Sequence, residues 1–426
     1  MTALVRSLAD LGPADRNAFF ERDAGIEAIS GDVEAIVSRV REEGDVAVRE
    51  FTSEFDDVEL GNIEITDACE RAYDGLEPDL REAIETAASN VRAFHETQLP
   101  ADWREEASPG RELGRRFRPI DRVGVYVPGG SAAYPSSAIM GVVPAVVAGV
   151  EHVAVVTPPA DELNPVTLAA IHVAGADAVY SVGGAQAIAG LAYGTESITR
   201  VQKIVGPGNK WVTAAKAVVR GDVEIDFLAG PSEIVVVADE TADPELVAAE
   251  LVAQAEHDPN ASVVAVTADE DLATAIQTAV DEQASARERE DVIRDALEND
   301  ASGILVARSM SEAILFTEEY APEHLSIMAD DDEAVLERID SAGSVFLGPN
   351  TPVAAGDYAS GTNHVLPTNG GARVTGGLST ETFLRSTTVQ RLSREGLTDI
   401  SETVTTLAAA EGLEAHAESV RKRLEE

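Results

Sequence analysis

Short β-rich runs alternate with helical runs over two long stretches of the chain, and this alternation constrains the fold more than any other feature. Strands and helices that alternate in this way are typical of a parallel sheet covered by helices. The β-rich runs are residues 122–127, 152–157, 178–182, 203–205, 234–237, 263–267, 303–307, 325–328 and 344–347. The sequence therefore predicts an α/β protein with two similar parallel-sheet units, as a duplication would produce.

The length of 426 residues exceeds what one hydrophobic core usually supports, so more than one domain is expected. Residues 1–25 are predicted to be an N-terminal helical segment, and residues 379–426 a C-terminal helical arm. Residues 26–125 together with 234–378 are predicted to form a discontinuous α/β domain. A second α/β domain, residues 126–233, is predicted to be inserted into it.

The charge of the chain is extreme, with a formal net value of −44. A surface this acidic argues against nucleic acid and anionic membranes as partners, because both need clustered Lys and Arg. The acidic residues are interleaved with periodic apolar residues, which indicates a folded protein and not a disordered one. In molar salt the Debye length falls to about 3 Å, so the carboxylates no longer repel one another. The composition therefore predicts a protein adapted to high salt.

The sequence also predicts a cytoplasmic location. No apolar run reaches the roughly 18–20 residues that span a bilayer, and residues 1–15 lack the pattern of a signal peptide. Cys69 is the single cysteine, which excludes an intramolecular disulfide and a cysteine-based zinc cluster.

Three glycine-containing loops, residues 126–131, 182–186 and 206–209, each follow a predicted strand and precede a predicted helix. None has the G-x-G-x-x-G spacing of a dinucleotide motif, and one such loop alone is more often a tight turn. Three at successive strand ends would line one crevice, where α/β sheets bind ligands. Lys203 and Lys210, expected beside it, favour a phosphate-bearing cofactor.

Gln254 and His257 lie three residues apart in an alanine-rich predicted helix, residues 244–257. Positions i and i+3 share a helix face, so both groups can converge on one metal ion. An ordinary surface pair on a helix is the alternative, and the segment alone does not distinguish the two. The other histidines of unusual context are His324, His364 and His416, whereas His95, His152 and His172 are interpreted as surface or core residues.

A set of eight segments in this order resembles the histidinol dehydrogenase family, the last enzyme of histidine biosynthesis. The resemblance extends from about Arg92 to His416. Each segment alone is weak, but the set is specific. The segments are YVPGG (126–130), GGAQA (183–187), GPGN (206–209), IDFLAGPSE (225–233), QAEH (254–257), YAPEHL (320–325), GDYASGTNH (356–364) and AEGLEAH (410–416).

The resemblance implies one zinc ion per subunit, with Gln254, His257, Asp357 and His416 as ligands. Two imidazoles and a carboxylate suit zinc. Glutamine is an unusual ligand, and its assignment depends on the resemblance. The metal would position the substrate against the cofactor.

The resemblance further implies that Glu323 and His324 are the acid–base pair of a two-step oxidation with NAD. His324 would take the hydroxyl proton of the alcohol, and Glu323 would activate water for the aldehyde step. Two roles for adjacent residues need an extended or loop backbone, which Pro322 permits.

The substrate and the cofactor also have implied contacts. The substrate-binding residues would be Ser232, Gln254, His257, His324, Asp357, His364, Glu411 and His416. Tyr126, Gln186 and Asn209 match the NAD-contacting positions of the family, and each lies in one of the three glycine loops.

Glu411 and His416 belong to the C-terminal arm, which in the family reaches into a partner subunit, so a homodimer with shared active sites is expected. L-Histidinol is the expected substrate. Two alternatives remain open from the sequence. One is a related zinc and NAD dehydrogenase of another alcohol, such as a sulfonated diol, and the other is a catalytically silent zinc-binding or assembly protein.

Overall fold

The computed structural model describes residues 5–20, 22, 25–129, 133–160 and 163–425. The strands are β1 (Val5–Ser7), β2 (Trp103–Ser108), β3 (Arg111–Pro119), β4 (Arg122–Tyr126), β5 (His152–Thr157), β6 (Ala178–Ser181), β7 (Lys203–Val205), β8 (Glu224–Ile225), β9 (Glu233–Ala238), β10 (Ser262–Thr267), β11 (Gly303–Val306), β12 (His324–Met328), β13 (Ser344–Leu347) and β14 (Leu384–Leu392).

The α-helices are α1 (Pro13–Phe20), α2 (Ser30–Glu43), α3 (Asp45–Asp56), α4 (Thr66–Gly75), α5 (Pro78–Glu96), α6 (Pro135–Ala148), α7 (Pro165–Ala174), α8 (Gly184–Tyr193), α9 (Lys210–Val219), α10 (Pro244–Ala255), α11 (Glu270–Ser285), α12 (Glu290–Glu298), α13 (Met310–Tyr320), α14 (Asp332–Leu336), α15 (Val353–Tyr358), α16 (Arg394–Ala410) and α17 (Glu414–Leu424). None of these described helices is long and apolar enough to cross a bilayer.

A five-stranded sheet has the order β6-β5-β4-β7-β8, with all neighbours parallel. Its central strands are continuous apolar runs because helices cover both faces. Val123 and Val125 point to the face that α6 and α7 cover. Ala154 and Val156 point to the opposite face, against α8 and α9.

A six-stranded sheet has the order β1-β11-β10-β9-β12-β13, again with all neighbours parallel. Helices α10 to α12 cover one face, and α13 and α14 cover the other. Apart from β1, both sheets place their strands in the order third, second, first, fourth, fifth. The two parallel α/β units predicted from the sequence are therefore confirmed, with one strand order in both.

The grouping of residues 26–125 with residues 234–378 is wrong. Helices α2 and α3 pack against α8 and α9, through residues that include Val33, Ile36 and Val40. Helices α4 and α5 pack near α6 and α7. All four helices therefore cover the five-stranded sheet, because their apolar faces complete its two layers. The expected boundary at residue 126 also cuts through β4, which belongs to that sheet.

The two termini are less helical than the sequence predicts. Residues Val5–Ser7 form β1, which adds to the six-stranded sheet beside β11, and only then does α1 begin. Of the predicted N-terminal segment, residues 1–4, 21, 23 and 24 lie outside the described residues. At the other end, residues Leu384–Leu392 are a strand, although residues 379–426 were expected to be a helical arm.

Strand β14 belongs to a three-stranded antiparallel sheet, in the order β14-β3-β2, that the sequence did not predict. The α16–α17 hairpin follows β14, and its helices pack mainly on each other. Leu407 is 58% exposed and Leu413 is 43% exposed. The hairpin therefore presents apolar surface that this chain leaves uncovered.

Candidate active site

Glu323 and His324 lie at the amino edge of the six-stranded sheet, where α13 gives way to β12. Ala321, with a φ of 52°, ends α13, and Pro322 then leads into the extended strand. Both side chains are buried. Separate roles for the adjacent residues Glu323 and His324 require an extended or loop backbone, and the backbone here is extended. The amino edge is the opposite of the edge where parallel α/β sheets usually bind ligands.

One peptide unit, that of Glu233 at the start of β9, holds both side chains. The amide N–H of Glu233 donates to Oε2 of Glu323 at 2.8 Å. The carbonyl oxygen of Glu233 lies 3.0 Å from Nδ1 of His324. Because a carbonyl only accepts, Nδ1 must carry the hydrogen, and the lone pair of the neutral ring is on Nε2.

The Nε2 atom of His324 is buried and has no hydrogen-bond partner among the described residues. It lies 3.7 Å from Oδ1 of Asp357, which is an ion-pair distance and longer than a hydrogen bond. Burial disfavours the charged ring, but the carboxylates of Glu323 and Asp357 outweigh it and raise the pKa of His324 well above its usual value. This nitrogen is therefore strongly basic, and it can accept a proton when the ring is in its neutral form.

Asp357, in the last turn of α15, is surrounded by imidazoles. Its carboxylate lies 3.9 Å from Nδ1 of His364, and its backbone carbonyl accepts from the same atom at 3.0 Å. Burial opposes ionisation of Asp357, but His324, His364 and His257 together hold the pKa of its carboxyl below the usual value. The structure thus brings Asp357, His324 and His364 together, with His257 close enough to act on the same carboxylate.

Gln254 is buried in the last turn of α10. The helix ends at Ala255, two residues before the predicted end, so His257 lies just beyond it. The amide of His257 still donates to the carbonyl of Gln254 at 3.2 Å, which keeps the two residues on one turn. One turn earlier in α10, Oε2 of Glu250 accepts from the amide of Val353, the first residue of α15, at 3.0 Å.

The hairpin residues are separate from this cluster. Glu411 follows α16 and His416 lies in the first turn of α17, and both are exposed. Among the described residues of one chain, no three His, Cys, Asp or Glu side chains are gathered closely enough to hold a metal ion. His416 therefore does not complete a site with His257 and Asp357 in the same chain. The donors that are present, an amide oxygen, an imidazole and a carboxylate, are of types that zinc accepts.

Ser232 is half-buried and directly precedes Glu233. Its carbonyl accepts from the amide of Ser262 at 2.9 Å, which fixes the loop between the two sheets onto β10. The amide of Gly230 donates to Oγ1 of Thr368 at 2.7 Å, so the same loop is also tied to the segment after His364.

The three glycine loops meet at the carboxyl edge of the five-stranded sheet. The hydroxyl of Tyr126 accepts from the amide of Gly184 at 3.1 Å. A Cβ atom at Gly206, whose φ is 105°, would lie 2.3 Å from the carbonyl oxygen of Tyr126. The three loops therefore lie side by side at this edge, as the sequence predicted, while Gly130 and Ser131 lie outside the described residues.

The polar side chains of these loops differ in whether their oxygen atoms already accept hydrogen bonds within the protein. Oε1 of Gln186 is buried and has no hydrogen-bond partner among the described residues. Asn209 caps α9, and its side-chain oxygen accepts from Trp211 at 3.0 Å and Val212 at 3.2 Å. A cavity of about 290 Å³ lies beside the first loop, at the end of β5 and the start of α7.

The expected basic spot beside the crevice is wrong in part. Lys203 is the first residue of β7, at the amino edge of the sheet, and its Nζ donates to the carbonyl of Thr382 at 2.7 Å. Lys210 is exposed in the first turn of α9. Lys216 is buried and pairs with Asp226 at 2.6 Å.

The pair of Lys216 and Asp226 holds the third glycine loop. Nζ of Lys216 donates to the carbonyl of Gly206 at 2.7 Å, and Oδ2 of Asp226 accepts from the amide of Gly206 at 2.8 Å. Sequence reasoning missed this pair, as it missed Glu233 and Glu250. For Asp226 and Glu233, the available signal was a carboxylate at each end of the segment 226–233, whose other residues are uncharged.

Known proteins provide a strong comparison. The histidinol dehydrogenase family model matches residues 21–424. Histidinol dehydrogenase of Haloarcula marismortui is 73% identical over 99% of this chain and 100% of its own length. That of Methanocaldococcus jannaschii is 47% identical over 99% of each chain. The crystal structure of histidinol dehydrogenase from Elizabethkingia anophelis has a TM-score of 0.93 and 36% identity, and covers 99% of this chain and 98% of the other.

Proposed function

We infer the chemistry of this site from the premise that the chain belongs to the histidinol dehydrogenase family. The protein is a dehydrogenase that oxidises L-histidinol to L-histidine, the last step of histidine biosynthesis. The alternative of a dehydrogenase acting on another alcohol, such as a sulfonated diol, gains no support. The observation that carries the proposed mechanism is the buried Nε2 of His324, which has no hydrogen-bond partner in the part of the chain that the structure describes. Its neighbour Glu323 is held by the same peptide unit.

We propose that His324 is the base for the alcohol step. Its Nδ1–H is fixed on the Glu233 carbonyl, so Nε2 is free to take the hydroxyl proton of L-histidinol. NAD, when bound, accepts the hydride that leaves the same carbon. The products of this step are L-histidinaldehyde, NADH and a proton on His324, which balances atoms and electrons.

Glu323 is proposed to act in the aldehyde step. Its carboxylate accepts a proton from water, whose oxygen adds to the aldehyde carbon and gives the hydrate as its monoanion. Loss of a hydride from this monoanion, which a second NAD would take up, and of its remaining hydroxyl proton to the protein leaves the carboxylate of L-histidine. Burial of Glu323 and His324 favours this order, because bulk water is kept from the alcohol step.

The proposed zinc ligands are Gln254, His257, Asp357 and His416. When bound there, zinc supplies a fixed charge that orients the substrate. Three of the four lie on or next to α10 and α15, which Glu250 links directly. Ser232, His364 and Glu411 are proposed to contact the substrate, since a carboxylate suits an imidazole N–H or an ammonium group.

The proposed site for NAD is the crevice that includes Tyr126, Gln186 and Asn209. Gln186 offers a buried oxygen that no described residue contacts by a hydrogen bond. Asn209 places its backbone at the amino end of α9, which favours phosphate. Asp226, which bonds to Gly206 in this crevice, lies seven residues before Glu233. Seven extended residues span at most about 25 Å, so Asp226 and the backbone that holds Glu323 and His324 are no farther apart than that. Because this reaction consumes NAD, we propose the cytoplasm as its location.

We propose a homodimer in which Glu411 and His416 complete the active site of the second copy. The exposed hairpin, with Leu407 and Leu413 uncovered, supports this proposal. The absence of a three-residue metal cluster among the described residues of one chain is compatible with it.

One assay tests the function. Purified protein is given L-histidinol and NAD in molar KCl, and NADH absorbance is followed with and without a metal chelator. We expect about two NADH per L-histidinol, with loss of activity after chelation and recovery on adding Zn²⁺. No NADH formation with L-histidinol would contradict the proposal, and unchanged activity after complete metal removal would contradict the role of zinc.

A further inference from the structure

Glu233 occupies an unusual position beside Glu323 and His324. Its backbone holds both of them, yet its side chain is also buried, at 1% exposure. A buried carboxylate needs a charged or hydrogen-bonding partner to remain ionised. The partners of the Glu233 side chain therefore help to fix its peptide unit, together with the pairing of β9 to β10 and β12.

Arg22 is the charged partner. Its Nε donates to Oε1 of Glu233 at 2.8 Å, and both side chains are almost completely buried. Oε1 also accepts from the amide of Asn369 at 2.7 Å, whereas Oε2 has no partner among the described residues. Burial raises the pKa of Glu233 to about 7, although Arg22 favours the ionised form. Arg22 and the Asn369 amide thus favour the charged form of this carboxylate against its burial.

The same guanidinium also binds Tyr320, in the chain segment that precedes Glu323 and His324. It donates to the carbonyl of Tyr320 at 3.1 Å, and its Cζ lies 3.7 Å from the centre of the Tyr320 ring. Tyr320 is the last residue of α13, three residues before Glu323. A cation at a helix C-terminus is favourable. A third bond, to the carbonyl of Phe19 at 2.6 Å, fixes the guanidinium to α1.

We propose that Arg22 and Glu233 are positioning residues for both oxidation steps. Arg22 joins the end of α13 to the Glu233 side chain, and the Glu233 backbone then aligns Glu323 and His324. The proposal deepens the function given above and rests on the roles assigned there to Glu323 and His324. Neither Arg22 nor Glu233 needs to touch the substrate.

The test uses three variants of the full chain in molar KCl: Arg22→Met, Glu233→Gln, and the two combined. Removal of one partner leaves a buried charge unpaired, so each single variant should melt at a lower temperature. The double variant has no buried charge to compensate and should regain much of that loss. We expect kcat to fall roughly 100-fold in all three, because misplacement of catalytic groups by about 1 Å has this effect.

Two further measurements separate positioning from a merely structural role. The KM values for L-histidinol and NAD should stay within about threefold of the wild type, since binding residues are untouched. With L-histidinol and L-histidinaldehyde as separate substrates, both steps should slow by similar factors. A double variant whose kcat recovers together with its melting temperature would overturn the proposal, as would a defect confined to KM.

Arg16→Gln is the matched control. Arg16 lies in the same N-terminal region and pairs with Glu319 in α13, but both side chains are half-exposed and neither contacts Glu233. This variant should keep the wild-type kcat and nearly the wild-type melting temperature. Failure of the wild type itself to oxidise L-histidinol would refute the proposed function, whereas an active wild type with fully active variants would refute only the role of Arg22 and Glu233.

Discussion

The carboxylate of Glu250 accepts a hydrogen bond from the backbone amide of Val353 at 3.0 Å. Glu250 precedes Gln254 by one turn of α10, and Val353 begins the helix that ends with Asp357 and Tyr358. Burial raises the pKa of Glu250, and the Val353 amide opposes this shift. A single bond thus sets the spacing of two helices that each carry a proposed zinc ligand.

Glu250→Gln should weaken zinc binding about 10-fold, as do other changes to the groups that orient metal ligands. Glutamine keeps the length of the side chain but removes the charge at the start of α15. Zinc affinity is measured by competition with a chelator, and bound metal by mass spectrometry of the intact protein. Glu245→Gln, an exposed change in the first turn of α10, is the control. Equal zinc affinity in both variants would contradict the role of Glu250.

Substitution of the two proposed catalytic residues should affect different steps of the reaction. His324→Asn should slow oxidation of L-histidinol by a factor of about 100 or more, because general base catalysis is lost. Glu323→Gln should slow mainly the oxidation of L-histidinaldehyde, which needs activated water. Stopped-flow measurement of NADH from each substrate separates the steps. Equal losses in both steps for both variants would argue against this division.

Mixing two variants that cannot complete the oxidation to L-histidine tests the shared active site. His416→Ala lacks a proposed zinc ligand from the hairpin, and Glu323→Gln lacks a group from the sheet. If sites are shared, each mixed dimer has one site with both defects and one with neither. Equal mixing and subunit exchange should then restore about a quarter of the wild-type activity. No restoration, with exchange verified by native mass spectrometry, would mean that each site is built within one chain.

Low salt should unfold the protein. The net charge of −44 is screened in molar KCl but repels in dilute buffer. We expect the melting temperature to fall by at least about 10 °C between molar and millimolar KCl, with circular dichroism as the measurement. An unchanged melting temperature would contradict salt adaptation.

Cys69 provides an internal reporter of the same transition. Burial raises the pKa of its thiol to about 12, so the reactive thiolate is scarce in the folded protein. In molar KCl, labelling by iodoacetamide should stay slow even when the pH rises from about 7 to about 9, because both values lie below this pKa. In dilute buffer the thiol should label rapidly once the chain unfolds. Fast labelling of the folded protein would contradict the buried position.

The strands of the two parallel sheets could be predicted because helices cover both of their faces. Strands β5 and β7 begin and end where the apolar runs do. The three-stranded sheet could not be predicted in the same way. Strand β2 is largely exposed and rich in charge, so it has no apolar alternation to mark it. The buried apolar residues of helix α2, such as Val33, Ile36 and Val40, recur at helical spacing, but this spacing does not specify which sheet the helix covers.

The residues of the candidate site could likewise be predicted from the sequence only in part. Glu323, His324 and Asp357 were identified from the sequence through the family resemblance, and the structure brings them together. Arg22 and Glu233 were not identified, because their pairing joins positions far apart in sequence. His416 shows the other limit, since a residue whose proposed neighbours lie on a second copy cannot be placed from one chain.

The shared strand order of the two sheets has a consequence for stoichiometry. The crevice of the six-stranded sheet that corresponds to the proposed NAD site follows β9 and β12, where Asp239 and Asp330 lie together. Carboxylates there would repel the phosphates of a dinucleotide. If NAD binds only in the crevice of the five-stranded sheet, as proposed, the first NADH must leave and fresh NAD must enter while the aldehyde stays bound. Cofactor exchange, and not only chemistry, would then limit how fast the second oxidation can follow the first.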